Sequence, residues 1–377
     1  MNEIEVAFSN QLNPVSAIIE INQTIAHNDW ALLLFFCSSE YPLEELSAAL
    51  THAYPSTQVV GCTSAGELSY EGYQQNSITV IALSRKNFSV ASALVTDLPN
   101  FSLSSSQQLI DQLLRQTNDN AVAPIDEHTF AITLLDGLSI QEEQFLKLLN
   151  ANLGQIPLLG GSAGDDLHFH HTQVFYEGQF YQASALILLI NTRHHMRCFS
   201  YHHLHTKTEK LIVTEANESQ RRVYELNALP AATEYARVCG INHDQLNDLN
   251  FALHPMVVKV GDHTYARSVQ KVHLDQSLSF YSAIESGMVL TKALPQNIVE
   301  QTQAWLQDLQ RDAGEPELVL AFDCIFRSLE IEHLKVGPAM AKLFKQYKVA
   351  GFSTYGEQFL GSHLNHTLTG VYLGPLI

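Results

Sequence analysis

Three stretches of the chain share one pattern: Val59-Val-Gly-Cys-Thr-Ser-Ala-Gly66, Leu158-Leu-Gly-Gly-Ser-Ala-Gly164 and Val349-Ala-Gly-Phe-Ser-Thr-Tyr-Gly356. Each is a short apolar run that closes on glycines and small residues. An earlier apolar run precedes each of them and ends at residue 37, 136 or 324. The separations from these ends to the first glycine agree, at 24 (61 − 37), 24 (160 − 136) and 27 (351 − 324) residues. The repetition predicts three units of one design, with a glycine turn at the same place in each.

The apolar runs are nearly continuous, which is typical of strands covered on both faces. Polar, helix-like stretches over 42–53, 140–152 and 336–347 separate the strands, and a hairpin with a further strand closes each unit. We therefore expect an α/β fold in which repeated strand–helix–strand–hairpin units form mixed sheets covered by helices. Residues 221–238 predict a helix interrupted at Pro230. The character of the chain changes near residue 200, which predicts two domains, 1–200 and 201–377.

Composition excludes several classes of partner. The 377 residues are 46% hydrophobic and 16% charged, with a net charge of −18, so nucleic acid and anionic membrane surfaces are not expected partners. No apolar run approaches the roughly 20 residues that span a bilayer, and the segment 1–6 has no secretory signal. Five widely spaced cysteines without a Cys-x-x-Cys pair indicate a reducing, cytoplasmic location.

The glycine turns are candidate ligand sites, because backbone N–H groups in such turns can form an anion nest. Gly61, Ser64 and Gly351 are the candidates there; the alternative is a tight turn in which only glycine fits. In the third unit, Arg327, Glu357 and Asn365 lie near strand ends, where open α/β sheets bind ligands. Arg327 can bind the carboxylate of a ligand through two hydrogen bonds. Alternatively, it can form a buried pair with an acidic residue that only holds the turns together.

An enzyme is not expected. The stretch Gly160-Gly-Ser162-Ala-Gly164 matches the nucleophile elbow of hydrolases, but an acidic and histidine-rich segment and a hairpin follow it instead of a helix. Ser162 or Cys324 as a nucleophile would need a base, and the spacing of the 18 histidines selects none.

Histidine spacing also suggests a metal site. His203 and His205 would share one face of a strand, a spacing compatible with metal binding, although histidines in such polar stretches are commonly surface residues. The chain lacks the Cys-x-x-Cys-His motif of covalent haem attachment.

Taken together, the motifs resemble the FIST sensory domain, with its N-terminal and C-terminal parts. The N-terminal part corresponds to the glycine turns of the first two units. The C-terminal part corresponds to Val213-Thr214, Val223-Tyr-Glu-Leu-Asn227, Pro230-Ala-Ala, Tyr265-Ala-Arg267, Gly351-Phe-Ser-Thr-Tyr-Gly-Glu357 and Leu364-Asn-His-Thr-Leu368. These segments occur in the order and at the spacing of the family.

The resemblance implies a cytoplasmic signal-input protein without an output domain of its own, similar to stand-alone members of the NosP type. Those members bind haem b, sense nitric oxide and regulate a partner histidine kinase and downstream cyclic-di-GMP or two-component signalling; a homo-oligomer is possible. His203 and His205 are then the first candidate haem ligands, and Cys324 competes with them. The alternative is a sensor of a small anionic metabolite, such as an amino acid, without haem. Its candidate residues are Gly61, Gly351, Arg267, Arg327 and Glu357.

Overall fold

The computed structural model describes residues 3–25, 29–260 and 263–377. The prediction that segment 1–6 has no secretory signal involves Met1 and Asn2, which lie outside these ranges. The expected α/β fold of mixed sheets covered by helices is confirmed. Three units with the same order of strand, helix, strand, hairpin and strand build three six-stranded sheets, and residues 204–295 form a fourth sheet.

The first unit follows a strand that forms the edge of its sheet and a helix that packs against that strand. Its central strand is buried along its whole length, and its helix carries two glutamates in the first turn, where the helix dipole favours negative charge. The elements are β1 (Ile4–Ser9), α1 (Pro14–Thr24), β2 (Trp30–Ser38), α2 (Leu43–Ala53), β3 (Val59–Ser64), the hairpin β4 (Glu67–Ser69) and β5 (Gly72–Gln74), β6 (Ile78–Ser84) and β7 (Phe88–Val95).

The second unit repeats this order. The helix before it is capped by Ser102, whose hydroxyl accepts the Ser105 N–H. The elements are α3 (Leu103–Asp119), a single turn α4 (Ile125–His128), β8 (Thr129–Leu135), α5 (Glu142–Asn150), β9 (Leu158–Ser162), the hairpin β10 (Val174–Tyr176) and β11 (Gln179–Tyr181), and β12 (Ala185–Thr192). Eight extra residues, 165–172, separate its glycine turn from its hairpin; we call them the second-unit loop.

Residues 204–295 form a separate eight-stranded sheet with two helices, here called the insert. The preceding strand β13 (His194–Tyr201) belongs to the sheet of the third unit, and the division into domains 1–200 and 201–377 stays a prediction. The insert contains β14 (Leu204–Asn217), β15 (Arg222–Leu226), β16 (Leu229–Pro230), α6 (Ala231–Cys239), α7 (Asp248–Leu253), β17 (Met256–Val260), β18 (His263–Arg267), β19 (Val269–Val272), β20 (Leu278–Phe280) and β21 (Val289–Pro295).

The prediction of a helix over 221–238 was wrong in its first half. Residues 222–226 form β15, which pairs with β14 and β20, and helix α6 begins only after Pro230. Val223 and Leu226 are buried in the core of the insert. Pairing with two neighbouring strands therefore decided the local structure over the weak helical pattern.

The third unit closes the chain. It carries an additional helix, α9, directly after its first strand. Its elements are α8 (Ile298–Ala313), β22 (Leu318–Cys324), α9 (Ile325–His333), α10 (Gly337–Tyr347), β23 (Val349–Thr354), the hairpin β24 (Glu357–Phe359) and β25 (Ser362–Leu364), and β26 (Leu368–Leu376). Among the helices that the structure describes, none combines the length and the apolar character needed to cross a membrane.

Each unit gives its hairpin to the sheet of another unit. The β4–β5 hairpin pairs with β23 of the third unit, the β24–β25 hairpin pairs with β9 of the second, and the β10–β11 hairpin pairs with β3 of the first. The exchange is cyclic, so every sheet is completed by another unit. The units are consequently bound to one another by main-chain hydrogen bonds as well as by side-chain packing.

The three glycine turns meet at the centre of this exchange. In each turn, one N–H donates to a carbonyl of another turn, and a second N–H donates in the opposite direction around the ring. The six bonds are Ala65 N to Ser353 O (2.9 Å), Gly164 N to Thr63 O (3.1 Å), Tyr355 N to Ser162 O (3.2 Å), Ser353 N to Gly66 O (2.7 Å), Ser162 N to Gly356 O (2.8 Å) and Thr63 N to Gln173 O (2.9 Å). We call this arrangement the central ring.

Close approach of the backbone explains the small residues of the ring. A Cβ atom on Gly164 would lie 2.7 Å from both the Cβ and the N atom of Ala65. The first glycine of each repeat is similarly confined, because a Cβ on Gly61 or Gly351 would lie 2.2 or 1.7 Å from a carbonyl oxygen of the adjacent parallel strand. Strand packing alone therefore requires glycine at these positions.

We expect Gly164→Ala to destabilise the protein by about 1–3 kcal/mol, because its methyl group must displace the backbone of the neighbouring turn. Urea unfolding measures the change. Gly337→Ala is the matched control, since a Cβ at Gly337 meets no atom within 4 Å. Equal unfolding midpoints for the two variants would contradict the tight central ring.

Candidate functional site

The residues predicted at the glycine turns lie in buried strands. The Ser64 hydroxyl donates to the Cys37 carbonyl at 3.1 Å and is also hydrogen-bonded to the Glu67 carboxyl group. Gly61 and Gly351 lie within β3 and β23, against neighbouring backbone. The turns do converge, but the N–H groups of the central ring donate to carbonyls of the other turns, so a ligand would have to compete with those bonds.

Two buried glutamates support the hairpins beside the ring. Glu67 accepts hydrogen bonds from the N–H and the hydroxyl of Ser77, and Glu357 accepts the equivalent pair from Thr367. Both residues are fully buried, and burial raises the pKa of each carboxyl group to about 8. At neutral pH both are mainly protonated, so Glu357 contributes a neutral hydrogen-bonding group at its predicted position.

Arg327, on α9, lies at the centre of a buried polar network. Its Nε donates to Asp323 Oδ1 at 2.5 Å, and its Nη1 donates to His203 Nδ1 at 2.8 Å. Tyr73, from the exchanged hairpin of the first unit, donates to the second oxygen of Asp323. Burial would lower the pKa of Arg327, but the Asp323 carboxylate outweighs burial and raises it. Of the two sequence interpretations, the structure shows the buried arginine–aspartate pair.

His203 completes this network. It is buried, and burial, followed by the charge of Arg327, lowers its pKa to about 2. The neutral ring accepts from Arg327 at Nδ1 and donates from Nε2 to Glu330 Oε2 at 2.8 Å. Both ring nitrogens are therefore engaged, and ligation of a haem iron by His203 would require one of these bonds to break.

The other two predicted haem ligands lie in different surroundings. His205 is exposed on β14, whereas His203 is buried before the strand begins, so the expected shared strand face is not formed. Cys324 is buried, and burial raises the pKa of its thiol well above the usual value. The three residues do not fit a haem iron as one ligand set in this arrangement.

A second charged cluster lies where the insert contacts the second and third units. Arg221 donates from Nη2 to Glu142 Oε2 at 2.6 Å and also to Glu143. Glu143 in turn accepts the Ala283 N–H at 2.6 Å and lies 3.4 Å from His363 Nδ1. Burial alone would raise the pKa of Glu143, but the hydrogen bond from His363 and the charge of Arg221 hold it well below its usual value. We call this region the junction.

The junction also contains carboxylates and an imidazole at metal-binding spacing. Three side chains each offer one possible ligand atom, and these atoms all lie within 4.8 Å of one another: Glu142, Glu143 and His363. The Arg221 guanidinium already occupies both carboxylates, so a metal ion would compete with it for the same oxygens.

Arg267 and Asn365, both predicted from the sequence, lie at the end of β18 of the insert and directly after β25 of the third unit, two strands that pack together. The charges of Glu143 and Arg221 act on Arg267, strand β18 packs on β25, and the Ser282 hydroxyl donates to Asn365 Oδ1 at 2.8 Å. Within the described residues, neither Arg267 Nε nor Asn365 Nδ2 has a hydrogen-bond acceptor. Each of the two residues thus leaves one donor unpaired.

Sequence reasoning missed the remaining junction residues. Glu142 and Glu143 occupy the first turn of α5, where acidic residues are common because the helix dipole by itself favours negative charge there. Arg221 fell within the segment predicted as a helix. His363 directly precedes the Leu364-Asn-His-Thr-Leu368 motif, and this adjacency was the one available signal.

Comparison with known proteins identifies both halves of the chain. The FIST N domain matches residues 31–229, and the FIST C domain matches residues 231–360. An uncharacterized protein of Methanocaldococcus jannaschii, MJ1623, is 21% identical over 95% of this chain and 77% of its own length. Among solved structures, a cyanuric acid hydrolase aligns with a TM-score of 0.32 and 10% identity over 52% of this chain and 71% of its own. That value is too low to indicate a shared fold or reaction.

The buried glutamates make stability depend on pH. A carboxyl group whose pKa is raised on folding stabilises the protein fully below its unfolded value of 4.5, and this contribution is lost as the pH rises through about 8. Between pH 7 and 8, the free energy of unfolding should fall by about 1 kcal/mol for each of Glu67 and Glu357, since one pKa unit corresponds to about 1.4 kcal/mol. Buried histidines whose pKa is lowered, such as His203 and His366, oppose this slope weakly between pH 7 and 7.5, and they do so equally in the wild type and in variants of the two glutamates.

Urea unfolding at pH 7 and at pH 8 tests this pH dependence. The double variant Glu67→Gln and Glu357→Gln should show a flatter dependence than the wild type. Glu45→Gln, at an exposed position on α2, is the control and should keep the wild-type slope. An unchanged slope in the double variant would show that the two glutamates are ionised in the folded protein.

Proposed function

This chain belongs to the FIST family of sensory domains, and we propose that it senses a small anionic metabolite, such as an amino acid, at the junction. Arg267 carries the proposal. Its guanidinium is half-buried, its Nη1 donates only to the adjacent Ala266 carbonyl, and its Nε lacks an acceptor within the described residues. Burial lowers the pKa of Arg267, and a bound carboxylate would relieve that cost.

The neighbouring groups supply further recognition. Asn365 Nδ2 is a buried donor without an acceptor in the described part of the chain, and it can bind a second carboxylate oxygen. Glu143 lies within the electrostatic reach of Arg267, and its side chain is 31% exposed, so solvent reaches the cluster at Glu143. A carboxylate on Arg267 and an ammonium group on Glu143 would together suit an amino acid.

Signal transmission follows from the location of the junction. The ligand would contact β18 of the insert together with α5 and β25 of the other units, which already pack there. A ligand with greater affinity for one arrangement of these parts shifts the population toward it. We propose that a histidine kinase or another signalling protein reads this shift, with cyclic-di-GMP or two-component signalling downstream.

Location, enzymatic activity and assembly are further parts of the proposal. All five cysteines are free thiols, which supports the cytoplasm. The Ser162 hydroxyl is buried in the central ring, and the Cys324 thiol is held protonated, which supports a binding protein without enzymatic activity. Assembly into a homo-oligomer is compatible with this role.

Thermal shift against a panel of the twenty amino acids and of small dicarboxylates tests the proposal. A ligand at a hundred times its dissociation constant stabilises by about 2.7 kcal/mol, which raises the melting temperature by several degrees. We expect Arg267→Gln to weaken binding tenfold or more, since a charged hydrogen bond contributes about 1.5–3 kcal/mol. Arg115→Gln, at an exposed position on α3, is the charge-matched control. Equal loss in both variants, or no shift with any compound, would contradict the junction site.

Haem b binding with nitric oxide sensing is the second proposal. One structural observation favours it. His168, His170 and His171 are exposed on the second-unit loop and line an open cleft of 690 Å³. Bound haem would supply the iron to which nitric oxide attaches. His168 lies beside Glu40 and His171 beside Gln182, so the His170 imidazole is the first candidate to hold it.

An absorption spectrum of protein purified from haem-supplemented cells tests the second proposal. A Soret band that disappears in His170→Ala and persists in His205→Ala would support ligation at the second-unit loop. The opposite pattern would favour the β14 histidine, and a colourless protein in all cases would reject haem binding.

A further inference from the structure

A cleft of 590 Å³ opens beside the central ring, with walls from all three units. Its apolar lining includes Ala65 of the first turn, Leu167 of the second-unit loop, and Ile325 and Leu329 of α9. The volume lies within the range of small-molecule sites. We call it the axial cleft.

The charged part of the axial cleft is acidic. Glu40, Asp166 and Glu332 lie along it, and among the described residues that line it none is a lysine or an arginine. His168 Nε2 lies 3.5 Å from Glu40 Oε1. Asp166 is half-buried and accepts the Ser38 hydroxyl at Oδ2 (3.1 Å); within the described residues, its Oδ1 accepts no hydrogen bond. The cleft therefore presents negative charge beside an apolar surface.

The second-unit loop holds these side chains in place at a conformational cost. Asp166 and Leu167 have φ angles of +53° and +67°, which cost non-glycine residues about 1–2 kcal/mol each. The Leu167 N–H donates to the Tyr355 hydroxyl at 2.8 Å, and Asp165 accepts that hydroxyl and the N–H groups of residues 169, 170 and 171. The loop is thus tied to the central ring in one conformation, with Asp166 and Leu167 facing the cleft.

We propose that the axial cleft is a second ligand site, which binds a small organic ammonium ion. The ammonium group lies against Asp166, and its apolar body covers Ala65, Ile325 and Leu329. A carboxylate ligand is disfavoured here by the three acidic side chains, so this site and the junction select opposite charges. Burial raises the pKa of Asp166, and a bound cation would favour its ionised form.

The two sites share the second-unit loop. Phe169 packs on Tyr355, with ring centroids 4.9 Å apart, and on Tyr281 of the insert at 6.1 Å. The Tyr281 carbonyl oxygen also accepts a hydrogen bond from Arg221 Nη1 at 2.6 Å. A ligand that holds Leu167 in the axial cleft therefore contacts the same loop that reaches the junction.

Isothermal titration calorimetry with three indole compounds of similar shape tests the charge preference. Tryptamine carries an ammonium group, tryptophol is neutral, and indole-3-propionate carries a carboxylate. We expect tryptamine to bind at least tenfold more tightly than tryptophol, and indole-3-propionate not to bind at the cleft. Equal affinities for the three compounds, or no tryptamine binding at about 10 mM, a concentration that detects a weak millimolar site, would overturn the proposal.

Variants locate the binding. Asp166→Asn keeps an oxygen for the Ser38 hydroxyl and should weaken tryptamine binding tenfold or more. Glu332→Gln, at an exposed position, should weaken it about threefold. Asp111→Asn, exposed on α3, makes the same change in net charge and should have no effect. Arg267→Gln should also leave tryptamine binding unchanged, which separates this test from that of the junction. Equal effects of Asp111→Asn and Asp166→Asn would show that tryptamine binds by net charge alone.

Discussion

The structure depends on the central ring, in which the three glycine turns satisfy one another's backbone hydrogen-bonding groups. Each bond contributes only about 1 kcal/mol net, but each buried N–H left without an acceptor would cost about as much or more. The exchange of hairpins follows from the same point, since each chain segment that leaves the ring enters the sheet of another unit. No unit completes its own sheet, so we infer that the three units fold as one cooperative body.

The ring also explains where polar side chains had to be buried. Glu67 and Glu357 occupy equivalent positions after the first and third turns, and each caps the strand that follows its hairpin. The second unit has Val174 at this position, because its loop intervenes. There Asp136 takes over and accepts the Ala183 N–H at 2.5 Å. A carboxyl group from the residue after β8 thus binds the segment that leads into β12.

Both proposed ligand sites lie where the threefold repetition is broken. The junction exists because the insert, present only between the second and third units, places Arg221 and Arg267 against α5 and β25. The axial cleft exists because eight extra residues follow the second turn. The regular parts of the fold supply a rigid frame, and the additions supply further charged side chains, among them Arg221, Arg267 and Asp166. Phe169 and Tyr281 connect the two additions, which gives ligand binding at one site a physical route to the other.

The sequence by itself determined the units. Continuous apolar runs and the repeated spacing predicted the ends of β2, β8 and β22 to within about one residue, and the polar stretch 336–347 predicted α10. Such patterns depend only on residues that are neighbours along the chain. It did not determine β15, which is a strand because it pairs with β14 and β20. Nor did it decide whether Arg327 pairs with Asp323 or binds the carboxylate of a ligand. The ion pair between Arg221 and Glu142 joins residues 79 positions apart. Only the tertiary structure decided these contacts, because the free energy of a buried charge depends on which distant groups surround it.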